Sequence, residues 1–397
     1  MQISASLLQE ACREDGRDAG VSITTELEPV AGRGAPVKPA IYAGAKYQQD
    51  RRWWFDSDNP EPADVIVIDN VPSQANRLEA ALWTIRAELG LPEIVLDLSR
   101  FNLPSHLPRE ISSFQFPHRN ADAYLRDSEL DGQKFPRTEV GESIFNASAT
   151  DPTALYQWMP QSLLFGFWQS HMGKEQTQAK LARSWVSEIV GYFPATSGVT
   201  TQGLKGDPLN LSIDDAVDFN ANDVIDWKVI DAAKSKKAYE RLSEIGHGQV
   251  PVDGSLAPVS FRFIRQETSL SFAGLRRVRT GHPDQDTWGR ALLAAIGLTA
   301  HSVAFGRGFS LRSGCDLRPV ATHIVWRGEN GDTAVEPFGL SEITSVLGEC
   351  ASRARAAGLP VGDSWPEPLR VIPSKNLAKA IEGTWPSPTE TDASEAD

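Results

Sequence analysis

The chain is short of cysteine, of long apolar runs and of positive charge, and each shortage excludes something. Cys12, Cys315 and Cys350 are the three cysteines in 397 residues, odd in number and far apart. They predict a reducing compartment and no disulfide scaffold. No apolar run approaches the roughly 20 residues needed to span a bilayer. Residues 1–13 lack the charged, apolar and cleavage regions of a secretory signal, so the expectation is a cytoplasmic protein with no membrane partner. A formal net charge of −13 is the reverse of the basic footprint of a simple nucleic-acid binder.

Catalytic motifs are missing as well. No Gly-x-x-x-x-Gly-Lys-Ser/Thr, Gly-x-Ser-x-Gly, Cys-x-x-Cys or His-Glu-x-x-His occurs, which removes the P-loop, the nucleophile elbow and the commonest zinc patterns. Residues 127–132 (DSELDG) begin like a calcium loop, but the twelfth position is Thr138 where a bidentate Glu is required. His118 and Asp122, four apart, could form an acid–base pair; capping and ion pairing among Arg119, Asp122, Arg126 and Asp127 is the simpler reading. The expectation is no metal, no cofactor and no catalytic residue.

Charge is unevenly placed. Residues 207–226 hold six Asp and no Lys or Arg, and everything after Lys379 is acidic or uncharged. Against these stand Arg51-Arg52, Arg276-Arg277 with Arg279, and Arg307, Arg312 and Arg318. A local groove can be positive on an acidic protein. Trp53-Trp54 beside Arg51-Arg52 reads equally as a base-stacking platform and as a loop anchor.

Periodicity predicts a mixed α+β fold. Residues 21–27 alternate as a strand, 64–68 form a short buried strand, and 94–98 another. Ala75, Leu78, Leu82, Ile85 and Leu89 recur at helical spacing up to Gly90. Residues 118–127 and 177–190 read as helices, the second with Leu181, Trp185 and Ile189 as its buried stripe. Residues 259–272 alternate as a strand whose apolar parity changes between Phe263 and Leu270, which predicts a bulge near Arg265. A further helix carries Trp288, Leu292, Ile296, Thr299 and Val303, followed by a Gly-rich loop over 306–314 and a strand over 321–326. Two strand–helix units far apart suit a βαββαβ, ferredoxin-like core with insertions at about 100–160 and 193–258, as one domain over 1–385 with a disordered acidic tail at 386–397.

The richest polar junction is residues 69–79 (DNVPSQANRLE), where strand meets helix. A helix N-terminus offers unpaired N–H groups and partial positive charge, which suits a phosphate. Gln74, Asn76 and Arg77 add amide and guanidinium donors; an ordinary N-cap with polar neighbours is the competing reading. At 306–314, glycines permit close backbone approach while Arg307 and Arg312 reach for phosphates, or the segment is a plain helix end and turn.

Three segments together carry a resemblance: 69–79, 117–128 (PHRNADAYLRDS) and 164–170 (LFGFWQS), continued by 183–191 (RSWVSEIVG) and by 311–317 (LRSGCDL). In this order they resemble the backbone subunit of the type I-G (formerly I-U) CRISPR Cascade complex, of the RAMP superfamily. That resemblance implies an RRM-like palm with large finger and thumb insertions. It implies a non-catalytic repeating subunit that binds the guide (CRISPR) RNA backbone, lines up with copies of itself in a helical filament, meets other Cascade subunits, and presents the guide to a target DNA strand. Guide pairing reads sequence while protein holds backbone. The residues it marks for RNA contact are Ser73, Gln74, Asn76, Arg77, His118, Arg119, Arg126, Arg183, Arg307 and Arg312. Arg119 and Arg126 could instead brace the site through Asp122 and Asp127. The alternative is an RNA-guided endoribonuclease subunit using a loop Asp: Asp122, Asp127 or one within 207–226.

Overall fold

A computed structural model describes residues 1–44, 46–55, 60–170, 179–195, 211, 215–220, 223–234, 239–247, 256–365 and 367–385. The expected mixed α+β class is what the chain adopts. Its main elements are α1 (Ala5–Cys12), β1 (Gly20–Pro29), β2 (Gln49–Trp54), β3 (Glu61–Asp69), α2 (Val71–Leu89), β4 (Trp185–Pro194), β5 (Phe261–Ser271), α3 (Pro283–Phe305), β6 (Phe309–Arg312), β7 (Cys315–Gly328), β8 (Gly331–Val335) and α4 (Leu340–Ala356).

Eight strands form one antiparallel sheet in the order β6-β7-β1-β5-β4-β3-β2, with β8 paired to β7. In β1, Val21, Ile23, Thr25 and Leu27 are buried on one face, as the period of two predicts. Helix α2 connects β3 back toward β4, and α3 connects β5 to β7. Most of α3 is buried around its whole circumference, from Gly289 to His301, because it packs between α1, α2 and α4. Helix α2 begins earlier than its apolar stripe suggests: Asn70 caps it, accepting from Ser73 N–H at 3.1 Å. It ends at Gly90, whose φ of 62° is the left-handed cap that a Cβ disfavours.

A second sheet of five short strands joins Ile94–Asp97 in parallel to Leu369–Pro373. Residues 100–160 are therefore tied to the C-terminal region through this sheet and through Trp365, whose Nε1 donates to Tyr156 O in the helix Thr153–Trp158. Beyond Pro194, a three-stranded sheet is built from Ala216–Asn220, Asp223–Val229 and Glu240–Arg241. Part of the acidic stretch 207–226 and the whole tail 386–397 lie outside the described residues.

Four expectations need correction. Of the helix expected over 177–190, residues 177 and 178 lie outside the described residues and the rest is not helical: Ala179–Leu181 pairs with Phe167–Gln169, and Trp185 opens β4. Positions four apart share a face in a strand as well as in a helix, so Trp185 and Ile189 fitted both. Residues 118–127 break into a turn at Arg119–Ala121 and a short helix at Ala123–Arg126, because Asp122 is extended (ψ 143°) and caps the second piece. No bulge interrupts β5, whose register runs continuously against β1 and β4. The parity changes because Phe263 packs on the opposite sheet face, stacked on Trp54 at 4.9 Å, while Gln266 meets Gln74 of α2, Leu270 joins the core that holds the helices, and Ile264 packs in a separate cluster with Leu27, Ile66 and Ile189. Residues 309–315 are a hairpin between β6 and β7 rather than an open loop.

Candidate nucleic-acid interface

Asp69 ends β3 and is fully buried, yet four side chains converge on its carboxylate. Oδ1 accepts from Ser73 Oγ (2.9 Å), Arg312 Nη2 (2.8 Å) and Arg77 Nη2 (3.3 Å). Oδ2 accepts from Gln74 Nε2 (2.6 Å) and Arg77 Nε (2.9 Å). The local reason is simple. Strand β3 delivers Asp69 to the first turn of α2, so positions 73, 74 and 77 lie within reach of it, and the β6–β7 hairpin brings Arg312 alongside. Arg77 Nη2 also donates to Leu311 O (3.0 Å), and Arg312 Nη1 donates to Lys38 O (3.2 Å) and Ile68 O (3.0 Å).

Two guanidiniums on one carboxylate leave one unit of positive charge at the N-terminal turn of α2, where the helix dipole has the same sign. Both side chains remain part-exposed, at 28 % for Arg77 and 25 % for Arg312. The Tyr42 hydroxyl lies within the field of Asp69 and Arg312, is buried, and has no partner among the described residues; burial first, then Asp69, raises its pKa. Burial pushes the Cys315 thiol up to about 11, opposed by Arg312, so this cysteine is neutral near pH 7.

Behind Asp69 a buried polar chain runs onto the sheet. Gln74 Oε1 accepts from Ser187 Oγ (3.0 Å) and Gln266 Nε2 (2.8 Å), and Ser187 Oγ pairs with Thr268 Oγ1 (2.9 Å). Gln74 is wholly buried. It is therefore a structural amide rather than a surface donor.

Arg119 is also internal. Its guanidinium forks onto Glu79 (Nε–Oε1 and Nη2–Oε2, both 2.7 Å) and donates to Gly166 O at 3.2 Å. Its backbone sits at φ 55°, a costly conformation for a residue with a side chain, and the ion pair helps to hold it there. Arg183 stands exposed beside this pair; partial desolvation and then the charge of Arg119 lower its pKa.

The other expected contacts scatter. Ser73 is half-buried on Asp69, while Asn76 in α2 and Arg307 after α3 are exposed. His118 is exposed, with its N–H bonded to Asp122 Oδ2. Arg126 is paired to Asp127 at 2.7 Å. The cluster thus unites Ser73, Gln74, Arg77 and Arg312, and a second centre holds Arg119 and Arg183. Asp69, the residue that organises the first centre, was missed by sequence reasoning. A carboxylate at a strand's end beside several donors was its only signal.

The remaining Arg runs serve the fold. Arg276 binds Ala11 O and Asp18 O, Arg277 binds Ala182 O, Arg279 binds Glu14, and Arg52 forks onto Glu188. Of the tryptophan pair, Trp54 is a buried anchor and Trp53 is exposed. Among the described residues, no three His, Cys, Asp or Glu side chains gather as a metal site, and no helix is long and apolar enough to cross a membrane.

No curated protein matches the chain. Residues 21–194 match the family model described as CRISPR-associated protein GSU0053, a span that runs from β1 to the end of β4 and includes both Asp69 and the Glu79–Arg119 pair. That similarity supports a Cas protein of a CRISPR system.

Proposed function

We propose that the chain is the repeating backbone subunit of a type I-G Cascade complex, a cytoplasmic, non-catalytic RAMP-type protein that grips the guide RNA backbone and stacks with copies of itself along it. The observation that carries this reading is the part-exposed pair Arg77 and Arg312, held side by side on Asp69 at the start of α2. Guanidiniums and amides serve phosphate and 2′-OH contacts, and little at this junction reads base edges. The strand order β7-β1-β5-β4, with α2 between β1 and β4 in the chain and α3 between β5 and β7, supports an RRM-like palm. Arg183, Arg307, Asn76 and His118 are its further accessible candidates; Gln74 and Arg119 brace from within. Other Cascade subunits and the target DNA strand would meet the assembled filament.

The endoribonuclease reading gains nothing from Asp122 or Asp127. Asp122 spends its oxygens on His118 N–H and Tyr124 N–H, and Asp127 is paired with Arg126. Co-expression with a guide precursor tests the proposal. The expected product is a long assembly carrying guide-length RNA that leaves a labelled target RNA uncut. Monomeric, RNA-free protein would sink the reading, and metal-dependent cutting lost with one Asp→Ala change would reverse its non-catalytic part.

A further inference from the structure

We infer that Asp69 is a positioning residue for an oxyanion seat made by Arg77 and Arg312, and that buried Gln74 holds Asp69 from behind. The inference rests on the RNA-backbone reading and deepens it, by naming what fixes the seat and what the seat takes. Arg77 uses Nε and Nη2 on Asp69 and Leu311 O, and among the described residues its Nη1 has no acceptor. Nη1 is the edge of the fork left for a ligand. Arg312 lies on the same carboxylate oxygen, Oδ1, so Asp69 is the anion shared by the two like charges, beside the neutral carbonyl acceptors Leu311 O, Lys38 O and Ile68 O. The chemistry that completes such a site is an oxyanion with two free oxygens: an RNA phosphodiester, or inorganic phosphate as its minimal form.

Simple electrostatics and positioning predict opposite signs for one substitution. Asp69→Asn removes a negative charge. If Asp69 only diluted the positive field, the change would tighten RNA binding and steepen its salt dependence. If Asp69 holds the guanidiniums in place, the change weakens binding although the site has become more positive. Gln74→Met is the second variant: it keeps volume and charge, and Gln74 is too buried to touch RNA itself.

The experiment measures RNA affinity of purified, RNA-stripped protein across a salt series, with the thermal midpoint of each variant and its rise on adding inorganic phosphate. Arg77→Ala is expected to bind RNA about tenfold more weakly and to flatten the salt slope by about 1. Asp69→Asn is expected to weaken RNA binding in the same direction and to lose most of the phosphate-induced rise, with Gln74→Met intermediate. Tighter RNA binding by folded Asp69→Asn overturns the inference. If Asp69→Asn does not fold, Gln74→Met decides: wild-type affinity and wild-type phosphate response overturn it. Wild-type protein that binds no RNA but is stabilised by phosphate through Arg77 and Asp69 would defeat the RNA reading while leaving the seat standing.

Discussion

Arg119 and Glu79 form a bidentate ion pair in which both side chains are almost fully buried, at 8 % and 2 % exposure. Burial raises the Glu79 carboxyl above its ordinary value while Arg119, then Arg183, pull it down. Such a pair adds little over an apolar substitute, but removing one partner strands a charge. Arg119→Met is therefore expected to cost about 3–5 kcal/mol near neutral pH. With its folded pKa raised further, Glu79 binds its proton more tightly folded than unfolded, so the deficit appears as pH rises and shrinks as pH falls. Urea unfolding at pH 5 and pH 8 checks this, and a deficit larger at pH 5 would contradict it.

Gly166 ties that pair to the next hairpin. Its φ is 77°, and a Cβ there would lie 2.6 Å from Leu181 O and 2.9 Å from Arg183 N. Gly166→Ala meets both a disfavoured backbone and a clash with backbone atoms, and Arg119 loses its carbonyl acceptor as the turn shifts. The expectation is a loss of about 2–4 kcal/mol by chemical denaturation. A neutral outcome would mean the turn between Phe165 and Phe167 can relax without cost.

Legibility from sequence followed the range of the interaction. β1 and α2 were readable because alternation at Val21, Ile23 and Leu27, and the stripe at Ala75, Leu78 and Leu82, reflect one burying face each. Trp185 and Ile189 misled because four-residue spacing satisfies two periods at once. Phe263 misled because its burial depends on Trp54, Tyr192 and Phe193, which other strands deliver. The donors at 73–77 and at 312 were visible as separate polar runs. Their meeting on Asp69 was not, since it requires the β6–β7 hairpin to fold back beside β3.

The two adjacent tryptophans make a paired prediction. Trp54 stacks on Phe263, touches Tyr192 (5.1 Å) and Phe193 (5.4 Å), and carries the Arg265 guanidinium 4.3 Å above its ring. Trp53, on the opposite face of β2, is 60 % exposed. Trp54→Ala is expected to cost about 3–5 kcal/mol, and Trp53→Ala to stay within about 0.5 kcal/mol. Urea midpoints of the two variants at an unchanged m-value provide the comparison. Equal losses would mean that strand β2 does not pack as described.

His301 supplies the acid limb of stability. It lies in α3 against Trp185 (5.9 Å) and Phe305 (5.7 Å), and its Nδ1 is buried without a partner among the described residues. Burial disfavours the imidazolium and lowers its pKa from 6.5 to about 4. Below pH 6.5 the unfolded chain binds this proton and the folded chain does not. The contribution is thus whole above pH 6.5 and is lost as pH falls toward 4, on the order of 3 kcal/mol in all. His301→Leu is expected to flatten that limb, so that wild type loses more stability than the variant between pH 7 and pH 4. Native-state imidazole resonances should show no titration of His301 above about pH 5. A midpoint near 6.5 would mean that water reaches the ring through the layer of Trp185 and Phe305.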